Sequence, residues 1–164
     1  MKQFILIRHA KSSWKFPELK DIERPLNSRG KKDAPLMGAL LKSVVPSIDM
    51  FYSSPGKRAH ETAKAFVRAY DNQISDISIE SDLYFGDESD IMDVIHNNVE
   101  DTNVIAMFSH NPTSTYFVNS FGEEVLDNLP TCGVAIFSSK AKTWDQVDYG
   151  NSKLIKLLRP KFDL

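Results

Sequence analysis

The sequence contains a single cysteine, Cys132, so no disulfide can form within the chain and secretion is not indicated. It also lacks an apolar run that approaches the roughly 20 residues of a membrane-spanning helix. The apolar stretch near the N-terminus is too short for a signal peptide and leads directly into charged residues. These absences predict a cytoplasmic protein with no membrane segment.

An excess of charge of one sign is also missing. The 20 Lys and Arg residues are balanced by 22 Asp and Glu residues, so the chain has no general attraction for nucleic acid or for an anionic membrane. Any anion-binding site must therefore be local. The 164 residues, 41% of them hydrophobic, are enough for one domain with its own core, and we expect a single domain over residues 1–164.

Three apolar runs, each predicted to be a buried strand, end on polar residues. They are residues 4–7 followed by Arg8 and His9, residues 48–52 followed by Ser53, Ser54, Pro55 and then Arg58, and residues 104–108 followed by Ser109 and His110. If the strands are parallel neighbours, their carboxyl ends lie at one edge of the sheet, where ligands bind in open α/β folds. Two guanidinium and two imidazole groups around one pocket suit a dianionic phosphoryl group.

The remaining pattern predicts an α/β fold. Further strands are expected at 77–79, 133–137 and 153–158, and helical spacing of apolar residues fills the intervals. A polar loop around 144–151 joins the last two strands in a predicted hairpin, and lysines within the last strand are typical of a sheet edge. We therefore predict a three-layer α/β/α sandwich whose central sheet is mainly parallel but mixed.

The start of the first helix is ambiguous. Asn27 or Ser28 can cap it, but Pro35 conflicts with a continuous helix. The sequence predicts either that regular helix begins near Asp33 or that residues 28–34 form a separate turn joined at a kink.

Two later helices have clearer starts. Ser54 followed by Pro55 predicts a helix that carries Arg58 in its first turn, where backbone N–H groups already favour an anion. Asp87 or Ser89 is expected to open another helix.

A long polar loop follows the first strand, and such loops are more often functional than structural. Lys11, Ser12 and Arg24 lie in it. We expect them to border the pocket. The sequence is equally compatible with two roles for them: contact with phosphate or substrate, or exposure to solvent without a function in binding. Trp14 can be a pocket wall or the anchor of the loop, and the pattern favours an anchor.

These motifs resemble the histidine phosphatase (phosphoglycerate mutase-like) superfamily. The resemblance is carried by Arg8-His9-Ala10, by Ser53-Ser54-Pro55 with Arg58, and by Ser109-His110-Asn111. Alanine after the histidine, the stretch Lys11-Ser12-Ser13-Trp14 and the stretch from Arg24 to Gly30 are similar to the small phosphohistidine phosphatases of the SixA type. The resemblance covers nearly the whole chain and implies a phosphoglycerate mutase-like sandwich.

The resemblance also implies the roles of the four central residues. His9 is expected to be the nucleophile and to become transiently phosphorylated, while Arg8, Arg58 and His110 hold the non-bridging oxygens. Phosphoryl transfer asks the protein mainly for positioning and charge stabilisation. Because His9 must be neutral to attack and His110 is expected to help most when charged, activity should fall at both acid and alkaline extremes.

A general acid is less well defined. Many members of the superfamily protonate the leaving group with a carboxylic acid, and the matching region here is 80–88. Asp87 and Glu88 are candidates, but no motif selects one of them. A weak or absent acid favours an N–P substrate, because a protonated phosphohistidine leaves as neutral imidazole and needs less assistance than an alkoxide.

The other histidines are predicted to be structural or solvated. His60 is two residues from Arg58 on a helix and should face elsewhere, and His96 lies on a polar helix surface. The four histidines lack a metal-ligand spacing, so no metal or organic cofactor is expected. Cys132 is predicted to be an inert buried thiol.

The sequence thus predicts a phosphatase that acts through a phosphohistidine on His9, with phosphohistidine on a phosphotransfer protein as the substrate. A phosphatase of small phosphomonoesters is the alternative among enzymes, and a catalytically inactive phosphate- or phosphoprotein-binding module is the alternative outside them. Nucleic acid and membrane are not expected partners. The sequence names neither the partner protein nor the oligomeric state.

Overall fold

The computed structural model describes residues 1–122 and 125–164. Within these residues six strands and five helices follow one another: β1 Lys2–Arg8, α1 Ser28–Val44, β2 Met50–Ser53, α2 Lys57–Ala69, β3 Ile77–Ile79, α3 Glu88–His96, β4 Val104–Ser109, α4 Thr113–Asn119, β5 Val134–Ser139, β6 Ser152–Leu158 and α5 Pro160–Asp163. No helix in the described part of the chain is long and apolar enough to cross a bilayer.

The strands form one sheet in the order β3-β2-β4-β1-β5-β6. The first four are mutually parallel, while β5 pairs antiparallel with both β1 and β6. The predicted mixed sheet, the closing hairpin and the position of the last strand at an edge are therefore confirmed. Since β2, β4 and β1 are parallel neighbours, their carboxyl ends meet at one edge.

Helices cover both faces of the sheet, as β1 illustrates. Ile5 and Ile7 belong to the core shared with α1 and α2, whereas Phe4 and Leu6 belong to the core shared with α3 and α4. All four side chains are fully buried, which contributes about 1.5–3 kcal/mol each. The burial of alternate residues on opposite faces explains the continuous apolar run, and the three-layer sandwich predicted from it is confirmed.

The first helix corrects an expectation. It runs unbroken from Ser28 to Val44 with Pro35 inside it, and Asn27 caps it by accepting a hydrogen bond from the amide of Gly30 at 2.9 Å. Neither a late start near Asp33 nor a separate turn is found. Pro35 lies on the exposed side of the helix, where water can bond the carbonyl that the missing N–H leaves free.

The second helix begins two residues later than predicted. Its first residue is Lys57, its cap is Gly56, and Ser54 is outside the helix. The hydroxyl of Ser54 still accepts a hydrogen bond from the Gly56 amide at 3.0 Å. Arg58 is nevertheless in the first turn, as the sequence predicted.

Candidate active site

The polar residues at the carboxyl ends of β1, β2 and β4 lie close together. In the sheet, Arg8 at the end of β1 is paired with Ser109 at the end of β4, and Ser53 at the end of β2 is paired with Phe108. His9 and His110 are the residues that follow β1 and β4, and Arg58 follows β2 at the start of α2. The structure thus brings together the four side chains that the sequence singled out.

His9 is fixed in one tautomer. Its ring is buried, with 7% of the residue exposed, and Nδ1 lies 2.7 Å from the carbonyl oxygen of Ala10. Because a carbonyl can only accept, Nδ1 carries the proton and Nε2 keeps a lone pair. Arg58 donates from Nε to that lone pair at 3.3 Å. Burial, aided by the neighbouring arginine charges, lowers the pKa of His9 to about 4, so the ring is neutral at pH 7.

Each of the two arginines donates to a backbone carbonyl. Arg58 donates from Nη1 to the backbone carbonyl of Asp21 at 2.7 Å and from Nη2 to its carboxylate at 3.0 Å. Arg8 donates from Nη1 to the carbonyl of Leu129 at 2.9 Å, while its buried Nε has no partner in the described structure. Burial, followed by the charge of Arg58, lowers the pKa of Arg8. Arg58 is thus paired with a carboxylate, whereas Arg8 has no carboxylate partner among the described residues.

His110 is a second neutral imidazole. It is 2% exposed, its ring centroid lies 5.2 Å from that of His9, and burial, followed by the nearby cationic groups, lowers its pKa to about 3. Nε2 is 2.8 Å from the Ser54 hydroxyl, which already accepts from the Gly56 amide. We assign the hydroxyl proton to Nε2 and the ring proton to Nδ1, since the Gly56 amide already occupies one lone pair of the hydroxyl. Burial thus disfavours the charged form in which the sequence predicted His110 to help most.

A pocket of about 290 Å³ opens beside these groups. Four cations, one carboxylate and six further residues line it: Arg8, Lys11, Arg24, Arg58, Asp21, His9, Ser12, Trp14, Phe85, Asn111 and Thr131. His110 lies behind this wall, with the rings of Tyr84 and Phe85 each 5.3 Å from its own. The excess of positive charge in the pocket favours an anion. The Nε of Arg8 and the Nδ1 of His110 are buried and have no partner among the described residues.

The loop between β1 and α1 supplies much of this wall. Lys11, Ser12 and Arg24, which the sequence left between a pocket and a surface role, all line the pocket. Arg24 donates to the Ser12 hydroxyl, and its guanidinium stacks on the ring of Trp14 at 3.4 Å from the centroid. Trp14 is 75% exposed and lines the pocket, so it is the pocket wall of the two roles considered, not the favoured anchor of the loop.

Asp21 is a site residue that the sequence reasoning missed. Its carboxylate accepts hydrogen bonds from Arg24 at 3.1 Å, from Arg58 at 3.0 Å and from the Tyr84 hydroxyl at 2.6 Å. Partial burial opposes ionisation, but these hydrogen bonds and the charge of Arg58 overcome it and lower the pKa of Asp21 to about 2. Only its spacing of three residues from Arg24 within a 3₁₀ turn offered a signal in the sequence.

The acids considered from the sequence lie elsewhere. Asp87 caps α3, where its side chain accepts from the amide of Asp90 at 3.1 Å, and Glu88 is the first residue of that helix. Neither residue lines the pocket. The capping role accounts for an acidic residue at the start of α3.

Other expectations concern residues away from the pocket. His96 bonds the backbone carbonyl of Val147 at 2.8 Å, which is the structural role predicted for it. Cys132 is fully buried, and burial raises the pKa of its thiol. Among residues 1–122 and 125–164, no three His, Cys, Asp or Glu side chains are grouped so as to hold a metal ion.

Comparisons with known proteins give a family match over part of the chain and structural matches over nearly all of it. The model of the histidine phosphatase superfamily (branch 1) matches residues 4–84. An uncharacterized protein of Mycobacterium leprae is 25% identical, with 94% of this chain and 100% of that protein covered. A proposed phosphohistidine phosphatase SixA from Agrobacterium tumefaciens superposes with a TM-score of 0.82 at 25% identity, covering 97% of this chain and 98% of the other. The protein histidine phosphatase SixA complexed with tungstate superposes with a TM-score of 0.80 at 21% identity, covering 97% of each chain.

Proposed function

The chain belongs to the histidine phosphatase superfamily, whose fold and motifs support phosphatase activity, and we propose that it hydrolyses a protein phosphohistidine through a covalent phosphohistidine on His9. The observation that carries the proposal is the state of the His9 ring. Nδ1 is committed to the Ala10 carbonyl, so the lone pair on Nε2 is directed to the side of Arg58. A neutral, oriented nitrogen beside fixed cations is what nucleophilic attack on phosphorus requires.

In the first step Nε2 of His9 attacks phosphorus and a new N–P bond forms. The bond between phosphorus and the leaving group breaks, and its electron pair goes to the leaving group. Arg8 and Arg58 neutralise the phosphoryl oxygens, and His110 donates a hydrogen bond from Nδ1. Neighbouring backbone and side-chain groups already hold these donors. The hydrogen bond from Arg58 Nε to Nε2 of His9 breaks as the lone pair binds phosphorus.

In the second step water attacks the phosphorylated His9. Its oxygen binds phosphorus, the N–P bond breaks, and Nε2 regains its lone pair. Both hydrogens of the water leave with inorganic phosphate, so the ring returns to the state with the proton on Nδ1. The reaction then needs neither a metal nor an organic cofactor, which remains a prediction.

A phosphohistidine substrate is supported by the carboxylate in the pocket. With its pKa lowered to about 2, Asp21 is ionised at neutral pH and cannot protonate a leaving group. An alkoxide needs such a proton, whereas the imidazole of a phosphohistidine carries its own on the other ring nitrogen. Two structures with the same fold are those of a proposed phosphohistidine phosphatase and a protein histidine phosphatase.

A metal-free hydrolysis panel tests the proposal. A phosphohistidine protein, N-phosphoimidazole, an aryl phosphate and a phosphosugar are assayed with the wild type and with His9→Ala, and His60→Ala is the matched control because His60 lies on the same helix as Arg58 outside the pocket. We expect turnover of the two N–P substrates by the wild type and the control, and a loss of at least about 10³-fold in His9→Ala.

The outcomes separate the alternatives. Undiminished hydrolysis by His9→Ala excludes the covalent mechanism. Strong turnover of the esters with little of the N–P substrates assigns the protein to small phosphomonoesters. No turnover by the wild type, with inorganic phosphate still bound, makes it a phosphate-binding module. Trapping of ³²P on His9 after a short reaction with labelled substrate identifies the intermediate directly.

A further inference from the structure

Asp21 is the one carboxylate among the described residues that line the pocket. A negative charge in a site for a dianion weakens the binding of phosphate and therefore calls for a function. The residue is bonded to Arg58, which also bonds the nucleophile. Asp21 thus lies one side chain away from the nucleophile His9, on the wall of the same pocket.

The carboxylate still has room for one more hydrogen bond. Oδ2 accepts from Arg58 and from the Tyr84 hydroxyl, and Oδ1 accepts from Arg24. A carboxylate offers about four acceptor positions in all, so one position on Oδ1 is left. The side chain is 42% exposed, and the residue faces the pocket. A donor on the substrate can therefore reach it.

We propose that Asp21 determines specificity by accepting a hydrogen bond from the protonated imidazole of the leaving group. The proposal rests on the proposed phosphohistidine substrate and goes further by assigning the residue that recognises it. A phosphohistidine ring protonated on its second nitrogen carries an N–H and a positive charge, and both are complementary to an ionised carboxylate. The leaving groups of most phosphoesters have no such positive charge, and an acidic leaving group is repelled by the carboxylate.

The chemistry of the step is consistent with this contact. When the N–P bond of the substrate breaks, its electron pair remains on the ring nitrogen that was bonded to phosphorus. The proton on the other nitrogen stays in place, so the product is neutral imidazole. Asp21 takes no proton and forms no bond to phosphorus; it holds the ring in its protonated, reactive form until the N–P bond has broken.

The surroundings of Asp21 suit a flat ring. Phe85 lines the same pocket, is 55% exposed, and has its ring 5.9 Å from the guanidinium carbon of Arg58. Trp14 presents a further exposed aromatic surface. A cationic imidazole packs favourably against such faces, whereas a sugar phosphate gains less from them.

A different role for Asp21 makes a different prediction. If it only positions Arg58, its loss weakens every phosphoryl substrate alike, because Arg58 binds the group that all of them share. If it recognises the leaving group, its loss changes the ratio between substrates. The test therefore measures a ratio.

The experiment compares Asp21→Asn with the wild type on N-phosphoimidazole and on an aryl phosphate, both corrected for uncatalysed hydrolysis, at a pH near 6.5. We expect the ratio of kcat/KM for N-phosphoimidazole to that for the aryl phosphate to fall by on the order of tenfold, the effect of losing a hydrogen bond between two charged groups. The inhibition constant of inorganic phosphate should stay the same or decrease, because a negative charge has been removed.

Two variants serve as controls. Asp71→Asn removes the charge of an exposed aspartate that pairs with Lys42 at 2.8 Å away from the pocket, and the φ of 60° at this position is tolerated by asparagine. It should leave the ratio unchanged. Tyr84→Phe removes one hydrogen bond to Asp21 but keeps its charge, so the ratio should change by less than about twofold.

An equal fall in kcat/KM for both substrates, together with weaker inhibition by phosphate, overturns the specificity role and leaves Asp21 as a positioning residue for Arg58. If Asp21→Asn leaves both kcat/KM values and their ratio unchanged, the specificity role is also excluded. Failure of the proposed function looks different, since the wild type itself then hydrolyses the aryl phosphate but not N-phosphoimidazole.

Discussion

A single backbone carbonyl sets the chemistry of His9. The Ala10 carbonyl oxygen accepts a hydrogen bond from Nδ1 of His9. Ala10 is itself held in place, because its amide donates to the hydroxyl of Thr62 at 2.9 Å. Thr62 itself donates to the carbonyl of Arg58 at 2.7 Å. The nucleophile and the arginine beside it are therefore coupled through one side chain of α2. At this scale the site is preorganised by ordinary hydrogen bonds.

The same logic at His110 gives a prediction about Ser54. Replacing Ser54 with alanine removes the only partner that the described residues give to Nε2 of His110, so a buried nitrogen is left unsatisfied and the tautomer is no longer fixed. We expect a loss of about 1–3 kcal/mol in the free energy of unfolding. The value of kcat/KM should fall on the order of 10- to 100-fold, less than the full loss of such a donor.

Urea unfolding and steady-state kinetics of Ser54→Ala measure the two effects. Ser53→Ala is the matched control, because the hydroxyl of Ser53 is equally buried but donates to the neighbouring carbonyl of Ser54. Equal losses of activity in the two variants contradict the role given to Ser54.

At the scale of elements, the loop between β1 and α1 is closed onto itself. The Ser13 amide donates to the carbonyl of Pro25 at 2.8 Å, and the Asn27 amide donates to that of Lys11 at 2.9 Å. The two ends of the loop thus run side by side, which keeps Lys11, Ser12 and Arg24 on the pocket wall. The loop is irregular in sequence but ordered by these backbone pairs.

This arrangement needs a glycine at the start of α1. A Cβ on Gly30 would lie 2.2 Å from the carbonyl oxygen of Lys11, and that oxygen belongs to backbone that cannot move without opening the loop. Gly30→Ala should therefore cost on the order of 1–3 kcal/mol and lower kcat/KM, since Lys11 and Ser12 are displaced together.

Thermal unfolding and kinetics check the effect of Gly30→Ala. Gly150→Ala is the control, because a Cβ there meets only one side-chain oxygen of Asp148, at 3.3 Å. A variant at Gly30 as stable and as active as the control would show that helix and loop are not in close contact.

The elements also show where sequence patterns succeed. Strand β3 occupies the residues 77–79 that the pattern predicted, and Asp87 caps α3 as expected. The pattern was wrong where an isolated residue contradicted its neighbours. Pro35 suggested a break, but the packing of α1 on α2 and the exposed position of the proline outweigh the one lost hydrogen bond.

At the scale of the whole molecule, the fold buries ionisable groups at one edge of its sheet. His9 and His110 have pKa values lowered to about 4 and about 3 by burial, below the ordinary value near 6.5 that holds in the unfolded chain. Asp21 is kept ionised beside Arg58. Because the pKa values of these three groups are lowered in the folded chain, the free energy of unfolding depends on pH.

The direction of that dependence follows from proton binding. Between about pH 4 and pH 6.5 the unfolded chain binds protons at both histidines while the folded chain binds none, so the free energy of unfolding rises with pH. Stability is fully present above pH 6.5 and is lost as the pH falls, by at most about 1.4 kcal/mol per pH unit for each histidine.

Urea unfolding of the wild type and of His110→Gln across pH 4.5–7 measures this dependence. The variant lacks one titrating group, so its free energy of unfolding should fall less steeply with decreasing pH. Parallel curves would contradict the lowered pKa of His110. Protonation of Asp21 lowers the free energy of unfolding further only below about pH 4, because its carboxylate takes up a proton in the unfolded chain before it does so in the folded chain.

The sequence by itself determined the fold class and the four central residues. Short apolar runs predict buried strands, and the residues that end parallel neighbouring strands lie at one edge of a sheet. The order along the chain therefore predicted that Arg8, His9, Arg58 and His110 converge, while their roles were implied by the resemblance to the histidine phosphatase superfamily. The strand order that makes these neighbours adjacent is now observed.

Only the tertiary structure decided the rest. The contact of Asp21 with Arg58 and Tyr84 joins residues 37 and 63 positions apart, and no local pattern encodes such a pair. The tautomer of His9, the neutrality of His110 and the position of Asp87 outside the pocket depend on burial and on hydrogen bonds that exist only after packing. Local sequence fixes which residues reach the edge of the sheet, and their three-dimensional surroundings fix the charge and direction with which they meet a substrate.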